Sequence, residues 1–406
     1  MAGATLTTLT AILKEFYLPP VRDQINNEIV VLSRWDVNTK DLVGLKAVVP
    51  LHTARSGGIG ARPELGTLPA AANQAYARAE YDLKYLYGRI EVSGPSLQKT
   101  KNTSGAFLEA YKSELDGIKN DLMNDLARQF YGAGDARVAQ CGASGPSTTV
   151  TIASAEPIRQ GFLYVGQVID IGTAADPDTI SGTGTPRTIT DVNEATPSIT
   201  VSGAAVTVTG ANFIYVAGNT SASDATVVYE VDNGLQKIVS TAANTVGGIN
   251  ASTSRYWDNQ RDTAGGALTE DNMLKNWNNV RVRGGRPSIV LGSFGLQRAY
   301  FNTLQGNRRY VEPTKLRGGF QVLEFQGEPF VADRHAPYGK LFMLDESHLM
   351  VFSPADWDFL ARDGQAVKWV QDKDSFQSVL FRYIQLGTDR RNVQLVMSGL
   401  TDALGY

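Results

Sequence analysis

The residues in this chain with the most chemical potential are three histidines, one cysteine and a few clusters of charge. Catalytic or metal chemistry needs several such groups at fixed spacing, and here the spacing fails in each case. His52, His335 and His348 have no second ligand at i+2 to i+4, where metal sites usually place one. His335 and His348 flank a strand-like run, so a structural role is expected of both. The single cysteine, Cys141, rules out an intrachain disulfide, a CxxC motif and a cysteine-based zinc site. No Gly-x-Ser-x-Gly elbow occurs. The Gly57–Gly60 cluster lacks the Gly-Lys-Ser/Thr ending and the following helix of a phosphate loop. Asp176-x-Asp178 lacks the other ligands of a calcium loop and reads as a solvated turn. The expectation is a non-enzyme with no catalytic residues, no cofactor and no metal. What remains is positive charge: Arg281, Arg283 and Arg286, and the pair Arg308-Arg309. These are either solvated surface or partners for acidic groups on another subunit. Weak aromatic interleaving and a net charge of −3 argue against nucleic-acid readout.

The elements that must position these residues are organised around one stretch, Ser104–Tyr131. Leu108, Tyr111, Leu115, Ile118, Leu122 and Leu126 recur at steps of three and four, which puts them on one stripe of an α-helix. Thr103 or Ser104 can cap its start, and Gly132 and Gly134 suit a left-handed stop. At 1.5 Å per residue the helix is roughly 28 residues and about 42 Å long. Glu109–Lys112, Asp116–Lys119 and Asp125–Arg128 are i,i+3 pairs on the polar side, each adding only about 0.2–0.5 kcal/mol. Burial of the apolar stripe must therefore hold the helix in place. Gly117 weakens it locally by about 1 kcal/mol.

With 406 residues the chain is too long for one hydrophobic core, and two to four lobes are expected. An apolar content of 42% with near-neutral charge indicates a folded protein. No run approaches 18 apolar residues, so no membrane span is expected. The N-terminal MAGATLTTLTAIL has no basic n-region or cleavage site, so no signal peptide is expected either. Residues 1–43 read as an arm: a helix over Thr5–Tyr17, a break at Pro19-Pro20, and a second helix over Val21–Leu32 with Ile25, Ile29 and Leu32 on one side. Residues 44–93 read as one long hairpin, with Leu45–Thr53 going out and Glu80–Val92 returning. Tyr81, Leu83, Tyr85 and Tyr87 alternate with polar residues, and a phase change after Gly88 predicts a β-bulge there. The connection between the strands, residues 54–74, is long and rich in glycine, alanine and proline.

After the long helix, which sits in residues 94–145, the composition changes. Residues 146–231 carry six short alternating strands (148–153, 166–172, 186–192, 198–203, 205–210 and 213–218). Their spacing predicts an all-β sandwich or barrel. Residues 232–317 return to helix, with Thr269 as an N-cap and Met273, Leu274, Trp277 and Val280 as the apolar side. A strand at Ser288–Leu291 and a helix at Ser293–Gln305 follow, which makes a mixed α/β lobe. Residues 318–406 are strand-rich and are expected to form the sheet beneath the long helix. The fold class is α+β with an inserted all-β domain.

This order of elements resembles the HK97-fold major capsid proteins of tailed bacteriophages: a proline-broken arm, a long hairpin, a long helix, an α/β lobe and a closing sheet. Local wording is similar as well, in NGLQKIVSTAANTVGGINASTSRYWDN (233–259), RPSIVLGSFGLQRAY (286–300), GGFQVLEFQGEPFVADRHAPYGKLFMLD (318–345) and DRRNVQLVMSGL (389–400). The resemblance implies an N-arm (1–43), an extended loop (44–93), a peripheral domain with a spine helix and an axial domain at 232–317, with the β-rich stretch as an addition. It implies hexamers and pentamers tiling an icosahedral shell around double-stranded DNA that is not read by sequence. Partners would be a separate scaffolding protein, a portal protein and a decoration protein, in a virion assembled in the host cytoplasm. The hairpin would lie over an adjacent subunit, with Arg55, Arg62 and Glu64 finding charge partners there. Some members weld their shells with Lys–Asn bonds. Here Lys84 lies on the hairpin but its tip carries no lysine, a departure from that pattern. Two other readings compete: an encapsulin-like protein compartment, which the β-insert and the length disfavour, and a β-rich virion adhesin or tail-associated protein, which the helical lobe and hairpin disfavour.

Overall fold

A computed structural model describes residues 29–44, 46–93, 104–181, 185–221, 224–306, 314–315, 321–361 and 366–402. The expected helix over Thr5–Tyr17 and most of that over Val21–Leu32 lie outside them. The described part of the second is a five-residue helix, Val30–Arg34, with Ile29 buried at its N-cap.

Two strands from opposite ends of the chain make the central pairing. Lys84–Ser93 runs antiparallel to Ser375–Thr388, in unbroken register from Ser93 opposite Ser375 to Lys84 opposite Ile384. The long partner strand also carries Leu349–Phe352, Asp358–Phe359 and Lys368–Trp369, and Val37–Asn38 adds in parallel beyond Leu349–Phe352. The helix spans Ser104–Tyr131, as its period predicts. Tyr111, Leu115, Leu122 and Leu126 are buried and Ile118 is half-buried in a core shared with Leu86, Ile90, Leu380 and Ile384. Thr103 and the side chain of Leu108 lie outside the described residues.

The hairpin differs from the expectation. Its strands are Lys46–Ala54 and Ala75–Asp82, with Leu42–Val43 alongside, and it ends at Asp82. The return strand is not one element: beyond Leu83 the chain leaves the hairpin and enters the central sheet. The phase change falls there and not at Gly88. Tyr81 and Leu83 are buried, Tyr85 and Tyr87 are 41% and 55% exposed, and Leu86 and Ile90 take over the inner face. No bulge occurs at Gly88. The glycine instead lets helix and strand approach, because a Cβ there would stand 2.9 Å from Leu122 Cδ1 and 3.1 Å from Ile118 Cδ1.

The closing strands divide between two sheets instead of forming one. Leu341–Leu344, Ile289–Gly292, Glu328–Ala332, Leu395–Met397, Gln260–Asp262, Gln321–Phe325 and Thr314–Lys315 form a separate mixed sheet of seven strands. Both of its faces are covered, which explains its continuous apolar runs. Ile289, Leu291, Phe342, Leu344 and Val396 join the core under the long helix. Their neighbours Val290, Leu341, Met343, Leu395 and Met397 pack with the helices Glu270–Val282 and Phe294–Gly306. Thr269 caps the first of these by accepting from the Asn272 N–H at 3.2 Å. Met273, Trp277 and Val280 are buried as expected, but Leu274 is exposed on the outer side.

The threonine- and valine-rich stretch forms a third, all-antiparallel sheet. Its strand order is Arg137–Gln140, Phe213–Val216, Val168–Gly172, Arg187–Asn193, Ser198–Val201, Thr149–Thr151. Val150, Ile169, Ile171, Ile189, Ile199, Val208 and Ile214 give it a core of its own, and Cys141 is buried there with its thiol pushed up to about 12 by burial. The sheet begins at Arg137, earlier than the composition suggests.

Two glycines of the long helix and its stop make opposite predictions. A Cβ added at Gly117 would meet nothing within 4 Å, so Gly117→Ala gains about 0.5–1 kcal/mol of helix propensity. Gly134 has φ +77°, and a Cβ there would fall 1.9 Å from the Asp232 carbonyl oxygen, so Gly134→Ala is expected to cost at least about 2 kcal/mol. Urea unfolding of the two variants measures both signs.

Candidate functional site

Two surfaces stand out among the described residues: the hairpin tip, and a groove beside the long helix. The hairpin is anchored at its base, where Ala47, Val49, Leu51, Ala79 and Tyr81 are buried. Tyr81 donates its hydroxyl to the Thr388 carbonyl at 2.7 Å and stacks on Phe352, with ring centroids 5.5 Å apart. Beyond Ala54 the connection has no strand pairing until Ala75. Ile59, Leu65 and Leu68 are 83%, 103% and 81% exposed. Arg55, Arg62 and Glu64 are exposed on the same segment. Arg62 donates to the Thr67 and Ala61 carbonyls, which shapes the turn locally. Three large apolar side chains exposed on one short segment mark it as a candidate interaction surface.

The groove is formed by two adjoining cavities of about 610 and 520 Å³. Tyr87, Leu122, Asp125 and Asn219 line both. One wall is the long helix and one is the strand Lys84–Ser93, whose outer edge has no partner strand among the described residues. Tyr85, Tyr87, Tyr164 and Tyr229 line it and are each about half exposed. At its floor Arg128 pairs with Glu230, both buried, while Arg128 also bonds Asp125 at 2.8 Å and Asn219 donates to Glu230 at 2.9 Å. Burial opposes the Arg128 charge, but the Glu230 and Asp125 carboxylates outweigh it and hold its pKa above the ordinary value. The expected polar-side pair Asp125–Arg128 is thus mostly an inward-facing bridge from the helix to the segment after the third sheet. Lys119 is likewise buried, 3.4 Å from Asp116, and not on an open polar face.

The other charged residues singled out in the sequence are scattered. Lys84 is held within the chain, donating to the Val228 carbonyl at 2.7 Å and lying 3.3 Å from Asp232. Arg281 and Arg283 are exposed at the end of the helix Glu270–Val282, and Arg283 lines a small cavity with Arg255, Asp258 and Arg261. Arg308 and Arg309 lie outside the described residues. His335 is buried, 3.2 Å from Asp333 and stacked on Phe162. His348 bonds Asp389 at 2.9 Å, and that bond raises its pKa. Among the described residues no group of three His, Cys, Asp or Glu side chains is placed to hold a metal ion, and no helix is long and apolar enough to cross a membrane. The tyrosine groove and the Arg128–Glu230 bridge are not legible in the sequence. The one local cue is the phase change between Leu83 and Leu86, which turns Tyr85 and Tyr87 outward.

The bridge makes a testable claim. Glu230→Ala leaves a buried guanidinium without its main counter-charge and is expected to cost about 3–5 kcal/mol. The double substitution Arg128→Met with Glu230→Leu is expected to cost much less than that. Urea unfolding of the two variants decides it; equal losses would mean that packing, not charge, sets the cost.

No family model and no curated protein sequence matches the chain. Among solved structures it is similar to the capsid asymmetric unit of cyanophage A-1(L), with a TM-score of 0.52 at 13% identity, covering 94% of this chain and 93% of that one. The capsid of an empty GTA particle gives a TM-score of 0.48 at 9% identity, with 92% and 90% covered. The holo-SrpI encapsulin complex from Synechococcus elongatus PCC 7942 gives 0.47 at 10% identity, with 93% and 88% covered. The cyanophage similarity runs almost end to end in both chains and agrees with the order of elements described above: the chain has the HK97-type fold of bacteriophage capsid proteins.

Proposed function

We propose that the chain is a major capsid protein, assembling as hexamers and pentamers into an icosahedral head shell around viral double-stranded DNA. The observation that carries this reading is the hairpin, packed at its base and exposed and apolar at its tip, on a fold shared with a phage capsid subunit. Such a tip is costly to order alone and is ordered by a neighbour, which couples folding to assembly. Symmetry then repeats each modest contact many times.

In this reading residues 1–43 are the N-terminal arm and 44–93 the extended loop, whose paired hairpin strands end at Asp82. The long helix is the spine of the peripheral domain, 232–317 is the axial domain, and 318–406 contributes to both sheets. Arg55, Arg62 and Glu64 meet charges on the adjacent subunit, and Arg281 and Arg283 lie at subunit contacts. A separate scaffolding protein, a portal and a decoration protein are the expected partners, in a virion assembled in the host cytoplasm. The third sheet is an outward-facing addition. Its clean excision runs from about Arg137, because the strand Arg137–Gln140 pairs with Phe213–Val216 inside the stretch removed. Exposed Glu114, Asp116 and Asp121 on the spine suit an inner wall that does not hold packaged phosphates.

The test is negative-stain microscopy with sizing on the purified chain, beside a variant whose residues 57–72 are replaced by a short Gly-Ser linker. The full chain is expected to give closed shells, or discrete hexamers and pentamers. The variant is expected to keep its secondary structure and lose closed shells. A full chain that stays monomeric at high concentration, even with a co-expressed scaffold, would overturn the proposal, and shells filled with host protein instead of DNA would favour an encapsulin-like compartment.

A further inference from the structure

Away from the hairpin and the groove, a small cavity of about 240 Å³ lies at the end of the helix Glu270–Val282. Three guanidinium groups line it, each from a different element. Arg255 opens the single turn Arg255–Trp257, Arg261 is the middle residue of the strand Gln260–Asp262, and Arg283 is the C-cap of the helix. All three elements are held by contacts of their own. Trp257 is buried and donates its indole N–H to the Val246 carbonyl at 2.9 Å. The strand pairs in parallel with Leu395–Met397 at the margin of the seven-stranded sheet. Gly285 brings the chain after the helix against Val393, where an added Cβ would stand 2.7 Å from the valine Cβ.

Positive charge exceeds negative here. Among the described residues Asp258 is the one carboxylate that lines the cavity. Its Oδ2 is 2.5 Å from Arg261 Nη2 and 3.8 Å from Arg255 Nη1, so one negative charge is shared between two guanidiniums. The Arg283 side chain is exposed and has no hydrogen bond or ion pair with any described residue. A basic side chain at a helix end is ordinarily held by the last carbonyls. Here Arg390 takes that role, donating to the carbonyls of Arg283 and Gly284 at 2.8 and 3.2 Å, which leaves the Arg283 guanidinium free. Burial above all, and the Arg261 charge with it, push the Arg391 pKa down to about 10, so a further cation stands within electrostatic reach.

Three guanidiniums against one carboxylate leave two positive charges facing one concavity, and an anion between them removes their repulsion. A carboxylate brings a single charge and is satisfied by one fork. A phosphate monoester carries about −1.5 to −2 at pH 7 and offers acceptors in several directions, which matches both the charge and the forks. Pockets for drug-sized ligands run from about 300 to 1,000 Å³, so this smaller cavity suits one phosphate group.

We infer that this cavity binds a phosphate dianion, either the free ion or the terminal group of a phosphomonoester, held by Arg255, Arg261 and Arg283. The inference does not depend on the capsid reading, because every wall belongs to one subunit. It is tested by calorimetric titration of the full-length protein at low salt with inorganic phosphate, glycerol phosphate, dimethyl phosphate and acetate. The last two present a phosphodiester and a carboxylate as monoanions. Saturable binding of one phosphate per chain is expected, about tenfold or more tighter than either monoanion. Arg255→Gln and Arg283→Gln are each expected to weaken it about tenfold. Both side chains are exposed, so both variants are expected to fold. Arg281→Gln, at the same helix end but not lining the cavity, is expected to leave phosphate binding unchanged. Equal affinity for phosphate and glycerol phosphate would identify the monoester group as the ligand, and tighter binding of phosphate would identify the free ion. Absence of saturable phosphate binding would overturn the inference. So would a loss from Arg281→Gln as large as that from Arg283→Gln, which would mean diffuse surface charge. Acetate or dimethyl phosphate binding as tightly as phosphate would overturn it as well, assigning the cavity to an acidic protein segment or to a nucleic-acid backbone.

Discussion

The structure depends on one pairing, between Lys84–Ser93 and Ser375–Thr388. It joins segments about 280–300 residues apart in sequence, and everything between them is in effect a closed loop. Loop-closure entropy grows only with the logarithm of length, each doubling costing about 0.6 kcal/mol, so a large insertion between the two strands is thermodynamically tolerable. What the pairing needs is a cover, and the long helix supplies it. Its buried stripe lies against Leu86 and Ile90 with Gly88 as the point of approach. Most of the helix's stability must come from packing its apolar stripe, and the sheet face cannot stay in water, so each element completes the other.

Buried charge then fixes how the outlying parts sit on this centre. Arg128 reaches from the helix to Glu230 and holds the chain where it leaves the third sheet. Gln160 donates to the Ala336 carbonyl at 3.0 Å, and the Tyr338 N–H donates to Glu156 at 2.8 Å, tying that sheet to the loop after Ala332. On the other side Arg391, fully buried, donates to the carbonyls of Ile238 and Asn244 at 2.6 and 3.1 Å and to Asn259 at 3.2 Å. These acceptors are neutral, and burial pushes its pKa down to about 10. Such contacts add little net stability, but they are specific in direction, and their loss leaves an unsatisfied group.

The long helix is legible in the sequence because its signal is local: a period of three and four over many residues, with glycines after the last turn. The strands of the third sheet are legible for the same reason. The partner of each strand is not. Alternation over Tyr81–Tyr87 reads the same whether the strand stays in a hairpin or leaves it, so the exit at Leu83 and the division of the C-terminal strands between two sheets leave no local trace. A glycine at a phase change suggests a bulge at Gly88, while a close approach by a helix depends on tertiary contact. Arg128 reads as part of the polar face because Glu230 is distant in sequence. Of the residues expected at subunit contacts, Arg55, Arg62 and Glu64 are exposed on the connection between the hairpin strands, whereas Lys84 bonds Val228 and Asp232 of its own chain.

The described residues thus combine a long ladder closed under a helix with a hairpin packed at its base and exposed at its tip. Under the proposed capsid role, the same tip would supply the link from each subunit to the next. Hydrogen–deuterium exchange, compared between unassembled subunits and assembled particles, tests this most directly. The account predicts that amides of 55–74 exchange rapidly in the free subunit and become protected in the particle, while those of 84–93 and 375–388 are slow in both. Rapid exchange of the tip in assembled particles, or a ladder that opens as readily as the tip, would contradict it.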